Sequence, residues 1–427
     1  MDIIKLTFIS LQKSSHIAFP NEEIPYHVFL SLFEKRYHEK EEMWVLEAVQ
    51  QNTPYFLQSL KDFVQEHQNE HPQFHEVLRF FARLTTNHYF LIHKGILTDT
   101  AIIHQYWDFL AKKHQSAGIA YENYQDGLLP PAVFSSYNLN VYGQHYLKIG
   151  QPVRSLRICR FCQSKQGERN KFGHEVSFKN KAHAISEALG NKTTVLLEEC
   201  DACNERFSTG IEPSLIQYLS PYRSLFGLDG KGGKKKLKGL DFSMRSDTKT
   251  VSIKLEKDVP ALTDAVEPKS FKVDLNLREG FIPQDVYKSL CKFVISVIPS
   301  SACVDFEETV NWINGDWNEK KLPKIALLQD NQFFTDTSLL LTYTRKDENL
   351  SLPYMIGEFH YAHNVFVFIV PFSAKDNQKF VKANAYQHYW SSFNTMRKGR
   401  KWKFIDFSVT TQIKLQINFE IKIPKEK

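Results

Sequence analysis

Residues 159–203 open and close on the same spacing. Cys159-Arg-Phe-Cys162 begins the stretch, Cys200-Asp-Ala-Cys203 ends it, and 37 residues lie between. Each Cys-x-x-Cys places two sulfurs on one tight turn, and two such turns facing each other complete a tetrahedral set of four thiolates, the preferred cage of structural zinc. A redox reading needs one pair in a βαβ setting rather than two pairs in one segment. The spacing between the pairs exceeds that of a minimal zinc ribbon, so a folded element is expected inside it. Six cysteines in 427 residues are too few for a disulfide framework. Of the two that stand alone, Cys291, beside Leu290 and Phe293, reads as a core residue.

Charge points to the same segment. The whole chain carries 54 Lys+Arg and 48 Asp+Glu, a net +6 that is mild for its length. Residues 151–245 alone hold 17 Lys/Arg against 10 Asp/Glu, so the remaining chain sums to about zero. Such concentration is how a polyanion-binding patch looks in sequence. The segment closes in Asp-Gly-Lys-Gly-Gly-Lys-Lys-Lys-Leu-Lys-Gly (229–239), expected as an exposed loop whose lysines neutralise phosphates. The first residues lack the long apolar run and small-residue cleavage site of a signal peptide, and no window approaches 18 uninterrupted apolar residues. A cytoplasmic protein without a membrane partner is the expectation.

The composition, 42% hydrophobic and 24% charged, excludes a disordered or collagen-like chain, and 33 Phe point to aromatic-rich cores. An α+β multidomain fold is expected. Residues 1–150 read as a helical domain after a first β-like run from Ile3 to Leu11, with apolar residues at i, i+3 and i+4 over Pro25–Tyr37, Glu41–Gln51, Pro54–Glu66, Pro72–Thr85 and Thr98–Lys113. Residues 151–245 form the zinc-binding module. Residues 246–427 read as an α+β domain with a mostly antiparallel sheet: helices at Gln284–Val297 and Asp305–Ile313, and strands at Thr250–Leu255, Phe271–Leu275, Ser338–Tyr343, Val365–Val370, Phe404–Val409 and Lys414–Ile423.

Between the cysteine pairs, a strand-like piece from Phe178 ends at His183, a Gly190-Asn191 turn follows, a second strand-like piece runs from Thr194, and a helix opens near Asp201, a plausible cap. Strand, turn, strand and helix clamped by thiolates make a compact ββα unit. His183-Ala-Ile-Ser-Glu-Ala-Leu-Gly-Asn191, Glu199-Cys-Asp-Ala-Cys-Asn204-Glu-Arg-Phe207 and Glu212-Pro-Ser-Leu215 occur in that order. With its two Cys-x-x-Cys pairs, the segment resembles the zinc-clamped subgroup of the HNH, or ββα-metal, endonucleases. The resemblance covers roughly residues 155–240.

The resemblance implies a metal-dependent endonuclease that hydrolyses DNA phosphodiester bonds. In it His183 is the general base that activates water, a role suited to an imidazole at cellular pH. Asn204 and Glu212 correspond to ligands of a catalytic Mg²⁺ or Mn²⁺, while Cys159, Cys162, Cys200 and Cys203 hold structural Zn²⁺. Double-stranded DNA is the implied partner, and by analogy with restriction and phage-defence systems the flanking domains would recruit a regulatory protein or a second copy. The sequence departs from the family pattern at Ala182, where many members carry an acid, at Ser186, where the motif has proline, and in Thr193–Leu197, which lacks the middle asparagine. A zinc module that binds nucleic acid or protein without catalysis is the competing expectation.

Overall fold

The computed structural model describes residues 3–11, 13–20, 24–38, 43–95, 97, 100–115, 136–143, 146–229, 236–240, 242–246, 251–255, 270–330, 334–346, 348–393 and 400–422. Two compact units divide the chain: Met1–Leu139 with Ser392–Gly399, and Asn140–Ser391 with Arg400–Lys427. In the first, the strands Ile3–Ser10 and Lys13–Pro20 form a hairpin in register from Ile3↔Pro20 to Ser10↔Lys13. Together with Tyr89–Lys94 and Val49–Gln51 they make a four-stranded antiparallel sheet.

Helices Pro54–His67 and Phe74–Ala82 supply the aromatic side of this core. The first starts because the Thr53 hydroxyl accepts the Phe56 N–H at 3.1 Å and Pro54 takes the first helical position, where its missing N–H costs nothing. Its buried face is Phe56, Leu60, Phe63 and Val64. At the centre Phe81 lies 4.7 Å from Phe90 and 5.0 Å from Phe56, ring centre to ring centre. Rings buried in this way contribute roughly 1.5–3 kcal/mol each.

This unit corrects the helical expectation for residues 1–150. Among the described residues of the stretch expected as a helix over Glu41–Gln51, Met43–Leu46 and Val49–Gln51 are strands, and Lys35–His38 pairs with Met43–Leu46. Four consecutive apolar residues, Met43 to Leu46, satisfy a helical stripe and a buried strand equally. Partners decide the outcome, and the Gln50 side chain ties the Glu34 N–H and the Glu34 and Glu47 carbonyls across the turn. Pro25–Tyr37 is likewise shorter than expected, its helix being Ile24–Ser31.

The second unit is α+β and mostly antiparallel. Its largest sheet has six strands, five of them wholly within the unit in the order Lys403–Ile405, Ile325–Gln329, Asn364–Ile369, Met355–Ala362 and Thr335–Arg345. Every residue of Met355–Ala362 and Asn364–Ile369 is buried. Gly357 is required there, because a side chain would start 2.3 Å from the Phe368 ring. The helix Pro283–Val297 lies against this sheet with all its residues from Pro283 to Val297 buried except Asp285, and Tyr287 Oη donates to the Ile369 carbonyl at 2.8 Å.

The expected ββα unit corresponds to short elements. Ala182–His183 pairs antiparallel with Thr194–Leu196 (His183↔Val195, Ala182↔Leu196), and the helix Asp201–Thr209 follows. Gly190, at φ +83°, turns the chain between the strands, and the Asn191 side chain accepts the Thr194 N–H at 3.0 Å. Leu147–Ile149 adds a parallel edge to Thr194–Leu196. Residues of this unit and of the helix Pro283–Val297 belong to one hydrophobic core, which runs from Cys159 to Phe407. The expected boundary near 245 is therefore not a division between cores. Residues 230–235 of the lysine-glycine run lie outside the described residues.

Candidate metal centre

Both cysteine turns are built by the backbone. In the first, the Cys159 N–H donates to the Ser164 carbonyl at 3.0 Å and the Gln163 N–H donates to the Cys159 carbonyl at 2.9 Å. Gln163 adopts φ +59°, which curls the turn back on itself. In the second, Cys200 is the residue before the first helical turn and Cys203 lies within that turn. A helix N-terminus stabilises thiolates. Asp201, expected as the cap, instead accepts the Lys179 and Asn180 N–H groups at 2.9 and 2.8 Å and so holds the preceding loop.

The turns meet. The four sulfurs lie within 4.8 Å of one another, Cys162 and Cys200 are 3.8 Å apart, and all four residues are buried. Zinc–sulfur bonds of about 2.3 Å at tetrahedral angles put sulfurs about 3.8 Å apart, so the donor set fits that ion. Without a cation, four thiols at this range cannot all ionise. Hydrogen bonds from neighbouring thiols pull Cys162 and Cys200 down, burial pushes Cys159 up, and hydrogen bonding to its neighbours pushes Cys203 up. The buried cluster can therefore hold a structural metal such as zinc.

Around it runs a polar frame that sequence reasoning missed. Arg160, inside the first Cys-x-x-Cys, is buried and donates to Glu198 at 2.9 Å, to the Ile295 and Ile298 carbonyls at 3.0 and 2.6 Å, and to Ser300 at 3.0 Å. Burial raises the Glu198 carboxyl, but hydrogen bonds from Ser300 and the Gln151 N–H, with Arg160 beside it, outweigh this and hold it below its ordinary value. Asn314 Nδ2 donates to the Phe161 carbonyl at 2.7 Å. Lys292 Nζ lies 3.1 Å from Glu199 and 3.2 Å from Glu212, with side-chain exposure of 0% for Lys292 and Glu199. The two carboxylates hold Lys292 above its ordinary value against the pull of burial, while burial pushes Glu199 up. One lysine in the otherwise apolar run Leu290–Val294 was the available signal.

No family model, no curated protein and no solved structure matches this chain.

The remaining sequence-derived residues are placed as follows. His183 ends the first strand of the ββα unit, its Nε2 3.9 Å from a Glu187 carboxylate oxygen. Asn204 lies on the Asp201–Thr209 helix, its N–H donating to the Cys200 carbonyl at 2.9 Å. Glu212 begins the helix Glu212–Leu225, buried, with its carboxylate on Lys292. Among the described residues, the four cysteines are the group of three or more His, Cys, Asp or Glu side chains that converges on one point. Cys291 is buried in the core, as expected. Among the described residues no helix is long and apolar enough to cross a membrane.

Proposed function

We propose that the chain is a metal-dependent endonuclease of the HNH type that hydrolyses DNA phosphodiester bonds. One observation carries this reading: His183 ends the first of two paired strands, and the helix that follows them starts on the second cysteine pair. A general base on such a strand is braced by the cysteine turns and by the core that Ala184, Ile185 and Leu196 enter. In the proposed reaction His183 takes a proton from water, the resulting oxygen attacks phosphorus, and the sugar oxygen leaves. Glu187, its carboxylate 3.9 Å from Nε2, lies beyond hydrogen-bond reach and would contribute negative charge near the ring rather than a fixed orientation. Asn204 with a carboxylate would hold Mg²⁺ or Mn²⁺, which when bound offsets charge on the scissile phosphate. Glu212 fits that duty poorly while it holds Lys292, so no step is assigned to it.

That engagement, with Ala182 in place of the usual acid, favours a second reading: a zinc module that binds nucleic acid without cutting it. Supercoiled plasmid incubated with Mg²⁺ or Mn²⁺ separates the two. The nuclease reading expects nicking by the native chain and at least a 100-fold loss in His183→Ala. Equal nicking by both preparations, or intact plasmid with both, sinks it.

A further inference from the structure

A cavity of about 270 Å³ opens beside the strand Ala182–His183. Twelve residues line it; five are basic (Lys148, Arg154, Arg157, Lys179 and Lys181) and none is acidic. Its floor is apolar, from Ala182, Val195 and Leu196. Tyr146 stands at the wall 59% exposed, with the Lys181 ammonium 5.4 Å and the Lys148 ammonium 6.0 Å from its ring centre.

One guanidinium of the five is fixed directly, and the backbone that carries two of the lysines is tied down. Arg157 donates to the Gln151 and Pro152 carbonyls, each at 2.9 Å, which fixes its guanidinium beside Arg154. Burial and then Arg154 push Arg157 below its usual value. Opposite, the Asp201 carboxylate grips the Lys179 and Asn180 N–H groups, so the loop bearing Lys179 and Lys181 is tied to the first residue of the helix that carries Cys203. Five like charges gathered around one cavity repel one another, and the arrangement is stabilised when an anion enters.

We infer that this cavity grips the sugar–phosphate backbone of duplex DNA, with Lys148, Arg154, Arg157, Lys179 and Lys181 on the phosphates and Tyr146 as an aromatic wall. The choice of DNA rests on the nuclease reading above; the grip itself rests on the cavity. Ala182 lines the cavity and His183, the next residue of the strand, does not, since successive side chains of a strand face opposite ways; the grip therefore holds DNA on this module without setting the scissile phosphate on the imidazole.

The test uses the full chain in buffer without added Mg²⁺ or Mn²⁺, a labelled 20-base-pair duplex, and fluorescence anisotropy at several salt concentrations. Lys179→Ala/Lys181→Ala is compared with Lys320→Ala/Lys321→Ala, an exposed pair outside the cavity. Each phosphate contact contributes about 0.9 to the slope of log K against log salt. The cavity variant is expected to bind at least 10-fold more weakly, with a slope shallower by about 1.8, and the control pair to bind as the native chain does. Unchanged zinc content and circular dichroism show that both variants fold. Equal loss in both pairs, no loss in the cavity pair, or tighter binding to heparin or duplex RNA than to DNA overturns the inference. Cavity-dependent binding without plasmid nicking would sink the nuclease reading and leave the grip standing.

Discussion

Lys292→Met tests whether the charges beneath the cysteine cluster act as a brace. Methionine keeps the length and apolar body of the side chain but removes the ammonium that lies 3.1 Å from Glu199 and 3.2 Å from Glu212. Lys292 and Glu199 are fully buried and the Glu212 side chain is 10% exposed, so water cannot replace the lost partner. Taking one member from a buried ion pair costs about 3–5 kcal/mol, because an uncompensated charge stays behind. Here two carboxylates stay behind, so the upper end of that range is expected. Against a typical domain stability of about 5–15 kcal/mol this is a large fraction. The assay is guanidinium unfolding followed by tryptophan fluorescence, with Trp312 fully buried in the same core. Zinc release to a chromogenic chelator is read in parallel. The triple variant Lys292→Met/Glu199→Gln/Glu212→Gln removes all three charges and should recover at least half of the lost stability. A Lys292→Met midpoint corresponding to less than 1 kcal/mol of destabilisation, with zinc retained, would refute the brace.

Cys203→Ser should lower bound zinc from about one per chain to a small fraction and broaden the unfolding transition, measured by elemental analysis and calorimetry. Arg160→Met should destabilise by about 3–5 kcal/mol, since it leaves the Glu198 carboxylate buried without its guanidinium and frees the Ile295 and Ile298 carbonyls; denaturant midpoints check this. Burial, then the nearby His88, lowers His114 from 6.5 to about 4, the two rings lying 4.4 Å apart. The folded chain thus takes up this proton less readily than the unfolded one, so stability is full above pH 6.5 and declines as pH falls toward 4. His114→Gln should flatten that decline in thermal melts between pH 7 and pH 5, and an unchanged slope would remove His114 as its source.

Where local pattern and tertiary outcome agreed, the sequence was legible. The helix Pro283–Val297 and the strands Thr335–Arg345 and Asn364–Ile369 announce themselves through long, one-sided or continuous apolar runs. The cysteine cluster was readable because its geometry follows from spacing alone. The strand Met355–Ala362 was not: Glu358 and His360 break its apolar pattern, and they are tolerated because they bond each other at 2.5 Å while Tyr343 donates to Glu358 at 3.0 Å. Met43–Leu46 failed for the opposite reason, being apolar enough for either period. The frame around the cysteines was invisible because its halves lie far apart in the chain, Arg160 and Ile295 by 135 residues and Phe161 and Asn314 by 153.

Those separations also set an order during synthesis. At about 5–20 residues per second, the ribosome delivers Ile295 roughly 7–27 s after Arg160. All four cysteines are out by residue 203, long before Lys292 or Asn314 exist to cover them. Any metal taken at that stage is taken while the thiols are still open to solvent, before the later half can close over them. A chain starved of metal at that stage carries four free thiols into the very region its later half is built to bury.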